Sequence, residues 1–448
     1  MKCFRGLFAF LCSLLLNSPL LAQSASNRTQ NDPSGEWILV TDVYGEKLSE
    51  RLELKMEKEQ LGGTIFRDEG AVLKGTLKGQ ELQFSFKESG GDQNEYKGRM
   101  TGDYLAGEYT SVSTSGQCTM GTWLARRIPA RPSGGPRHVE FVPKTFYRAF
   151  SSATEPVLHI WPGDSVHTTS VDAGGTDEKG VTRVLGGNPL TGPFYVESAM
   201  PGDVLAIHIK RLRLNRDWAE SDKAFVNRAI TTEYAAKNKQ DWSNTRWHLD
   251  LEKGIAMLEK PSEAMKNFSV PVHLMLGCVG VAPGFGGAAV GSGDSGYFGG
   301  NMDFNQIAEG TTLYLGVSQP GALLYMGDGH ALQGDGELNG NALETSMDIE
   351  FSVELLQKKN IGAPRAETVD FLMAMGLAGS LDAAFSRATS ELASWLQEEY
   401  KLSSSDVAAI LGTSIQYSVS EVADRNVGIV AKVPKSVLTM LTPGTSAR

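Results

Sequence analysis

Basic residues and cysteines are both scarce in this 448-residue chain. Lysine and arginine number 42 against 52 aspartates and glutamates, a formal net charge of −10. Nowhere do the positive charges gather into a patch, which argues against binding a nucleic-acid backbone. The four cysteines are Cys3, Cys12, Cys118 and Cys278, too few to scaffold a chain of this length. The apolar run Leu7–Leu16 is too short to span a membrane. Histidine is missing from the whole stretch Trp37–Arg127, which makes catalysis there the less expected role.

The N-terminus is read as a signal peptide. Lys2 and Arg5 precede the Leu7–Leu16 run, and Pro19 and the small residues Ala22 and Ser24 follow. Cleavage near Ala22 gives residues 1–22 as leader and a soluble periplasmic or extracellular protein with no membrane association. It removes two positive charges, taking the formal charge from −10 to −12. Cys3 and Cys12 leave with it, so Cys118 and Cys278 remain, and whether they pair is open.

Residues 34–127 alternate apolar and polar positions, as at Leu52, Leu54, Met56 and at Leu82, Phe84, Phe86, with glycine pairs between. This pattern predicts about eight short strands in a small antiparallel β-barrel with an accessory role. Trp37 and Trp123 mark its first and last strands. The segment IPARPSGGP (128–136) reads as a linker. From residue 137 to 440 a second domain follows, with two Pro-Gly-Asp turns (Pro162–Asp164 and Pro201–Asp203) feeding alternating strands, the pattern of a β-sandwich. Asn215–Lys266 is charged and helix-friendly, and reads as a lid or surface excursion. Met347–Leu355 alternates cleanly as a strand. Leu381, Phe385, Ala388, Leu392 and Leu396 recur at helical spacing behind Ser380 and Asp382. A shorter helix near Ser405–Leu411 and a strand at Val427–Val433 complete a mostly β, α+β fold.

The chain is organised around Gly277–Glu344, which holds 18 of its 50 glycines. Asp303, Asp328, His330, Asp335, Glu337 and Glu344 are offered there. Carboxylates with one imidazole suit a divalent-metal site or hydrolytic acid/base chemistry. Asp-Gly β-turns use the same residues, and spacing alone favours turns over a site. His167 and Asp172 at a strand end, and Glu197 before the second Pro-Gly-Asp turn, read by themselves as half-exposed strand residues. Cys278 lies in an apolar strand, a poor setting for a nucleophilic thiolate.

The phrases GPFYVESAMPGDVLAIHI, LGCVGVAP, GGNMD, GDGHALQGDGE and AETVDFLMAMGLAGSLDAAFSRA occur in that order over about residues 140–435. They resemble the acetamidase/formamidase family. The resemblance implies a β-sandwich with an α/β portion near the C-terminus, and an amidase releasing ammonia and a carboxylate from short aliphatic amides. It implies metal ligands among Asp172, Asp303, Asp328, His330 and His167, with Zn²⁺ the expected ion and Ca²⁺ the alternative. It also implies Glu337 and Asp335 in catalysis, and Glu197, Asn301 and Glu344 at the substrate. Asn188 stands where many members carry histidine, so His167 is the candidate to replace that ligand. The expected partner is a small amide, with a homo-oligomer left open. The competing expectation is a secreted ligand- or Ca²⁺-binding β-rich protein without turnover.

Overall fold

In the computed structural model, residues 32–66, 70–284 and 288–441 are described. The predicted leader lies outside them. The chain divides into two compact units, residues 1–129 and 130–448.

The first unit is a closed eight-stranded antiparallel barrel in simple up-and-down order. Its first strand, Gly35–Val43, pairs with its last, Cys118–Arg127, setting Thr41 opposite Trp123 and Trp37 opposite Arg127. Closure leaves no strand edge unpaired. Alternation puts Trp37, Leu39, Leu52, Leu54, Phe84 and Tyr96 inside. Tyr96 stacks on Phe84 with centroids 4.8 Å apart, and Trp123 meets it edge-on at 5.6 Å. Among the described residues, no buried side-chain polar atom of the barrel lacks a hydrogen-bond partner. The interior is a finished core.

The second unit is built on two large sheets, of eleven and nine strands among the described residues. One buried cluster draws on both. Leu205, Ile207 and Phe351 come from the nine-stranded sheet, and Leu276, Cys278 and Leu324 from the eleven-stranded one. The Pro-Gly-Asp turns act as anticipated. Asp164 is fully buried and accepts from Arg131, Arg137 and the Trp161 N–H, while Asp203 accepts from the Met200 N–H.

The helix Leu381–Tyr400 starts at Ser380, whose hydroxyl accepts from the Ala383 N–H. Its buried face is Ala384, Ala388, Leu392, Trp395 and Leu396, while Leu381 and Phe385 are exposed. Asn215–Lys266 departs from the expected excursion. Trp218–Asp222, Asn244–Asp250 and Ile255–Leu258 are consecutive strands at one end of the eleven-stranded sheet, joined by one short helix, Thr232–Lys237. Pairing to an existing sheet overrides weak local propensity here. The pairing of Cys118 with Cys278 is not made, because Cys278 is a free, buried thiol.

Candidate metal centre

The glycine-rich centre combines buried strands with turns, the latter around Asp335 and Leu338–Asn339. Met275–Val281 and Leu324–His330 are fully buried neighbours in antiparallel register, Leu276 opposite Gly329 and Cys278 opposite Gly327. Gly299–Asn301 flanks the first and Glu344–Thr345 the second, with Glu344 directly opposite His330. Glycine makes this close packing possible. A Cβ on Gly327 would stand 2.7 Å from the Pro189 carbonyl, and one on Gly329 3.0 Å from that of Thr345.

Alternation gives Asp328 and His330 one face of their strand. Asp303 joins them from just beyond the Gly299–Asn301 strand, its N–H and that of Met302 donating to the Gly277 carbonyl. One ligand atom from each of Asp303, Asp328 and His330 falls within 4.8 Å of the others, and the same holds for His330, Glu337 and Glu344. All five residues are buried. Asp303, Asp328 and Glu337 have φ of 42°, 58° and 46°, left-handed backbone that is costly for a residue with a Cβ and accumulates at functional sites.

Two side-chain amides hold the aspartates from behind. Asn301 Nδ2 donates to Asp303 Oδ2 and to Asp424 Oδ2, each at 2.6 Å. Asn188 Nδ2 donates to Asn301 Oδ1 at 2.7 Å and to Asp328 Oδ2 at 3.2 Å. Both Oδ2 atoms are thereby engaged, whereas Asp303 Oδ1 and Asp328 Oδ1 are buried without a hydrogen bond.

His330 is oriented the same way. Gln333 Nε2 donates to the carbonyls of Asp303 and Ser420 at 2.5 and 3.0 Å, which turns Gln333 Oε1 toward His330 Nδ1, 3.0 Å away. Nδ1 therefore carries the proton of the neutral ring, and the free lone pair sits on Nε2. Nε2 is buried without a hydrogen bond, 3.2 Å from Glu344 Oε2 and 3.5 Å from Asp328 Oδ1. A nitrogen lone pair facing carboxylate oxygens in a dry site requires a positive charge between them, either a proton or a metal ion.

Electrostatics agree. Burial, then the charges of Glu337 and Asp328, push Asp303 well above the usual carboxylate range. Burial raises Glu337 similarly and Glu344 to about 7, His330 opposing both shifts. Burial by itself would lower His330, yet the Glu344 and Asp328 carboxylates outweigh it and hold the ring well above its ordinary value. Without a metal, imidazolium is the one cation in the cluster. Gly277 completes the cradle, because a Cβ there would stand 2.4 Å from Asp303 Oδ1 and 2.6 Å from Asp328 Oδ2.

Other sequence-predicted residues lie elsewhere. Asp172 is in neither group. Its Oδ2 is 2.7 Å from buried Arg216, which stacks on Trp218 and donates to the Glu344 carbonyl, so an ion pair takes the place of metal ligation. Asp172 is linked to the cluster through Arg216 and the Glu344 carbonyl. His167 also stands outside both groups, its Nδ1 2.6 Å from Glu140, so the place opened by Asn188 is filled by Asn188's own amide. Glu197 pairs with His159 at 2.8 Å. Asp335 is exposed and accepts from Asn305. Asn301 and Glu344 are built into the cluster itself. Burial, then Asp328 and Asp303, push the Cys278 thiol well up, which removes its nucleophilic form.

Sequence reading missed Gly277, Gln333, Glu421 and Asp424. Glu421 is fully buried with Oε1 unpartnered, and burial raises it to about 8. A raised carboxylate binds its proton more tightly folded than unfolded, so stability falls as pH rises from about 4.5 to about 8. In metal-free protein, E421Q is expected to flatten that decline, read as denaturation midpoint against pH; an unchanged slope refutes the assignment.

Residues 295–444 match the model of the acetamidase/formamidase family. A crystal structure of a predicted acetamidase/formamidase from Thermoanaerobacter tengcongensis is similar at 26% identity and TM-score 0.58, over 70% of this chain and 100% of that one. An acetamidase from Yersinia enterocolitica gives 25% and 0.59 over 68% and 94%. The fold is shared with a Bacillus halodurans acetamidase, at 24% and 0.58 over 67% and 99%. No curated protein matches the chain.

Proposed function

We propose that this protein is an exported, metal-dependent amidase that hydrolyses short linear amides of the formamide and acetamide type to a carboxylate and ammonia. The observation carrying this reading is the convergence of Asp303, Asp328 and His330, with Asp303 Oδ1, Asp328 Oδ1 and His330 Nε2 buried without hydrogen bonds, beside a glycine whose missing Cβ would meet Asp303 Oδ1 and Asp328 Oδ2. The family match over 295–444 and the likeness to proteins named acetamidase support the chemistry. The charged, apolar and small-residue succession of residues 2–24 supports export.

Asp303, Asp328 and His330 would hold the ion, with Glu344 beside His330. An imidazole among the donors favours Zn²⁺ over Ca²⁺, which prefers oxygen alone. Such a cation supplies polarisation of an amide carbonyl and acidification of water. The chain does the rest. Glu337 Oε1 accepts from the Ala342 N–H, which leaves Oε2 to take a proton from water and pass it to the departing nitrogen. Burial pushes Glu337 well above the usual carboxylate range, so it holds a proton more readily than an exposed carboxylate. The dry surroundings strengthen each electrostatic interaction.

Ammonia release from formamide and acetamide tests this directly. Dialysis against a chelator is expected to abolish release, and Zn²⁺ to restore it. Full activity in a sample shown to be metal-free would sink the proposal, and metal binding with no release from any short amide would leave a binding protein instead.

A further inference from the structure

The C-terminal loop Ser420–Asn426 reaches the cluster from far along the chain. Asp424 Oδ2 accepts from Asn301 Nδ2 at 2.6 Å. The loop is fastened around this contact: Glu421 Oε2 accepts from the Asp424 N–H at 3.1 Å, and Arg228 donates to the Asp424 carbonyl at 2.7 Å. Asn426 Nδ2 donates to the Ser295 carbonyl at 2.5 Å, and Arg425 lies 3.3 Å from Asp294.

Asn301 has two amide hydrogens and two carboxylate acceptors, Asp303 and Asp424. Carboxylates only accept, so Asn301 Nδ2 must face both, and its oxygen must face Asn188. Asn188 in turn spends its second hydrogen on Asp328. The chain Asp424, Asn301, Asn188 is thus polarised in one direction, and each amide fixes one aspartate by its Oδ2. What it leaves over is Oδ1 of each, buried without a hydrogen bond, that of Asp328 lying 3.5 Å from His330 Nε2.

We infer that Asp424 is a positioning residue for the metal centre: by anchoring the Asn301 amide it fixes which oxygen of Asp303 and, through Asn188, which oxygen of Asp328 is presented to the cation. It acts through Asn301 and need not touch substrate. A residue that holds a metal ligand in its orientation sets metal affinity by roughly 10- to 100-fold. This inference rests on the proposed metal-dependent function.

The test compares wild type, D424A and D424N in full-length protein, measuring Zn²⁺ affinity by chelator competition, thermal midpoint of the metal-free form, and kcat and KM for formamide. D424A is expected to weaken Zn²⁺ binding by about 10- to 100-fold and to lower kcat at subsaturating Zn²⁺ with KM little changed, while the metal-free midpoint stays close to wild type. D424N keeps an oxygen acceptor for Asn301 Nδ2 and is expected to recover most of the affinity, which a general loss of structure would not allow. Wild-type Zn²⁺ affinity in D424A, or equal losses in D424A and D424N, overturns the positioning role and leaves the amidase reading standing. A wild-type protein that binds no metal overturns both.

Discussion

Gly277→Ala is expected to abolish cation binding and to lower amide hydrolysis by at least about a thousandfold, the scale on which misplaced catalytic groups fail. The added Cβ would stand 2.4 Å from Asp303 Oδ1, 2.6 Å from Asp328 Oδ2 and 3.0 Å from His330 Cε1. Real Cβ atoms do not approach so closely, so the aspartates must swing away. Neither is free to do so, because Asn301 holds Asp303 by Oδ2 and Asn188 holds Asp328 by the very Oδ2 that the Cβ would meet. The strand itself cannot retreat, since Leu276 and Cys278 are buried and paired on both flanks. The expected cost in stability is about 1–3 kcal/mol of overpacking, so the variant is best examined at low temperature, with circular dichroism to confirm the fold. Wild-type activity with bound Zn²⁺ would show that the space over Gly277 is not where the ion sits.

Asp303→Asn has the opposite effect on stability. Asp303 is fully buried, and its charge is opposed by Glu337 and Asp328 as well as by desolvation. Removing that charge while keeping the shape relieves repulsion, so the metal-free variant is expected to unfold later than metal-free wild type, by on the order of 1–2 kcal/mol. The same change deletes an anionic ligand, so hydrolysis is expected to fall about a thousandfold or more and added Zn²⁺ to give little thermal shift. A purely structural role for Asp303 predicts the reverse, with D303N less stable and the protein equally active. Parallel thermal melts and ammonia assays on the two proteins decide between them.

Much of the fold was legible because alternation survives wherever one face is buried. Leu52 and Leu54, Phe84 and Phe86, and Met347 through Val353 announced their strands, and the barrel's strand number and its closing pair were readable from glycine spacing and the two tryptophans. The region around Trp218, Trp242 and Trp247 was not, because its strands are fixed by pairing on both sides within the sheet and not by an alternating pattern of their own. At the site, Asp303, Asp328, His330, Glu337 and Glu344 were legible as a chemical set in a glycine-rich segment. Their orientation was not. It depends on Asn188, Gln333 and Asp424, polar residues in loops without period, whose value lies in which hydrogen points where. Asp172 shows the complementary failure: a carboxylate near a glycine turn looks like a ligand until a buried arginine from another segment claims it.

The loop Ser420–Asn426 also orders events in time. Ser420 contributes a carbonyl to Gln333, Glu421 pairs alongside Gly336, and Asp424 anchors Asn301. A ribosome delivers Ser420 76 residues after Glu344, the last of the clustered acids. The nascent polypeptide therefore carries the acids before it carries the loop that holds them in place.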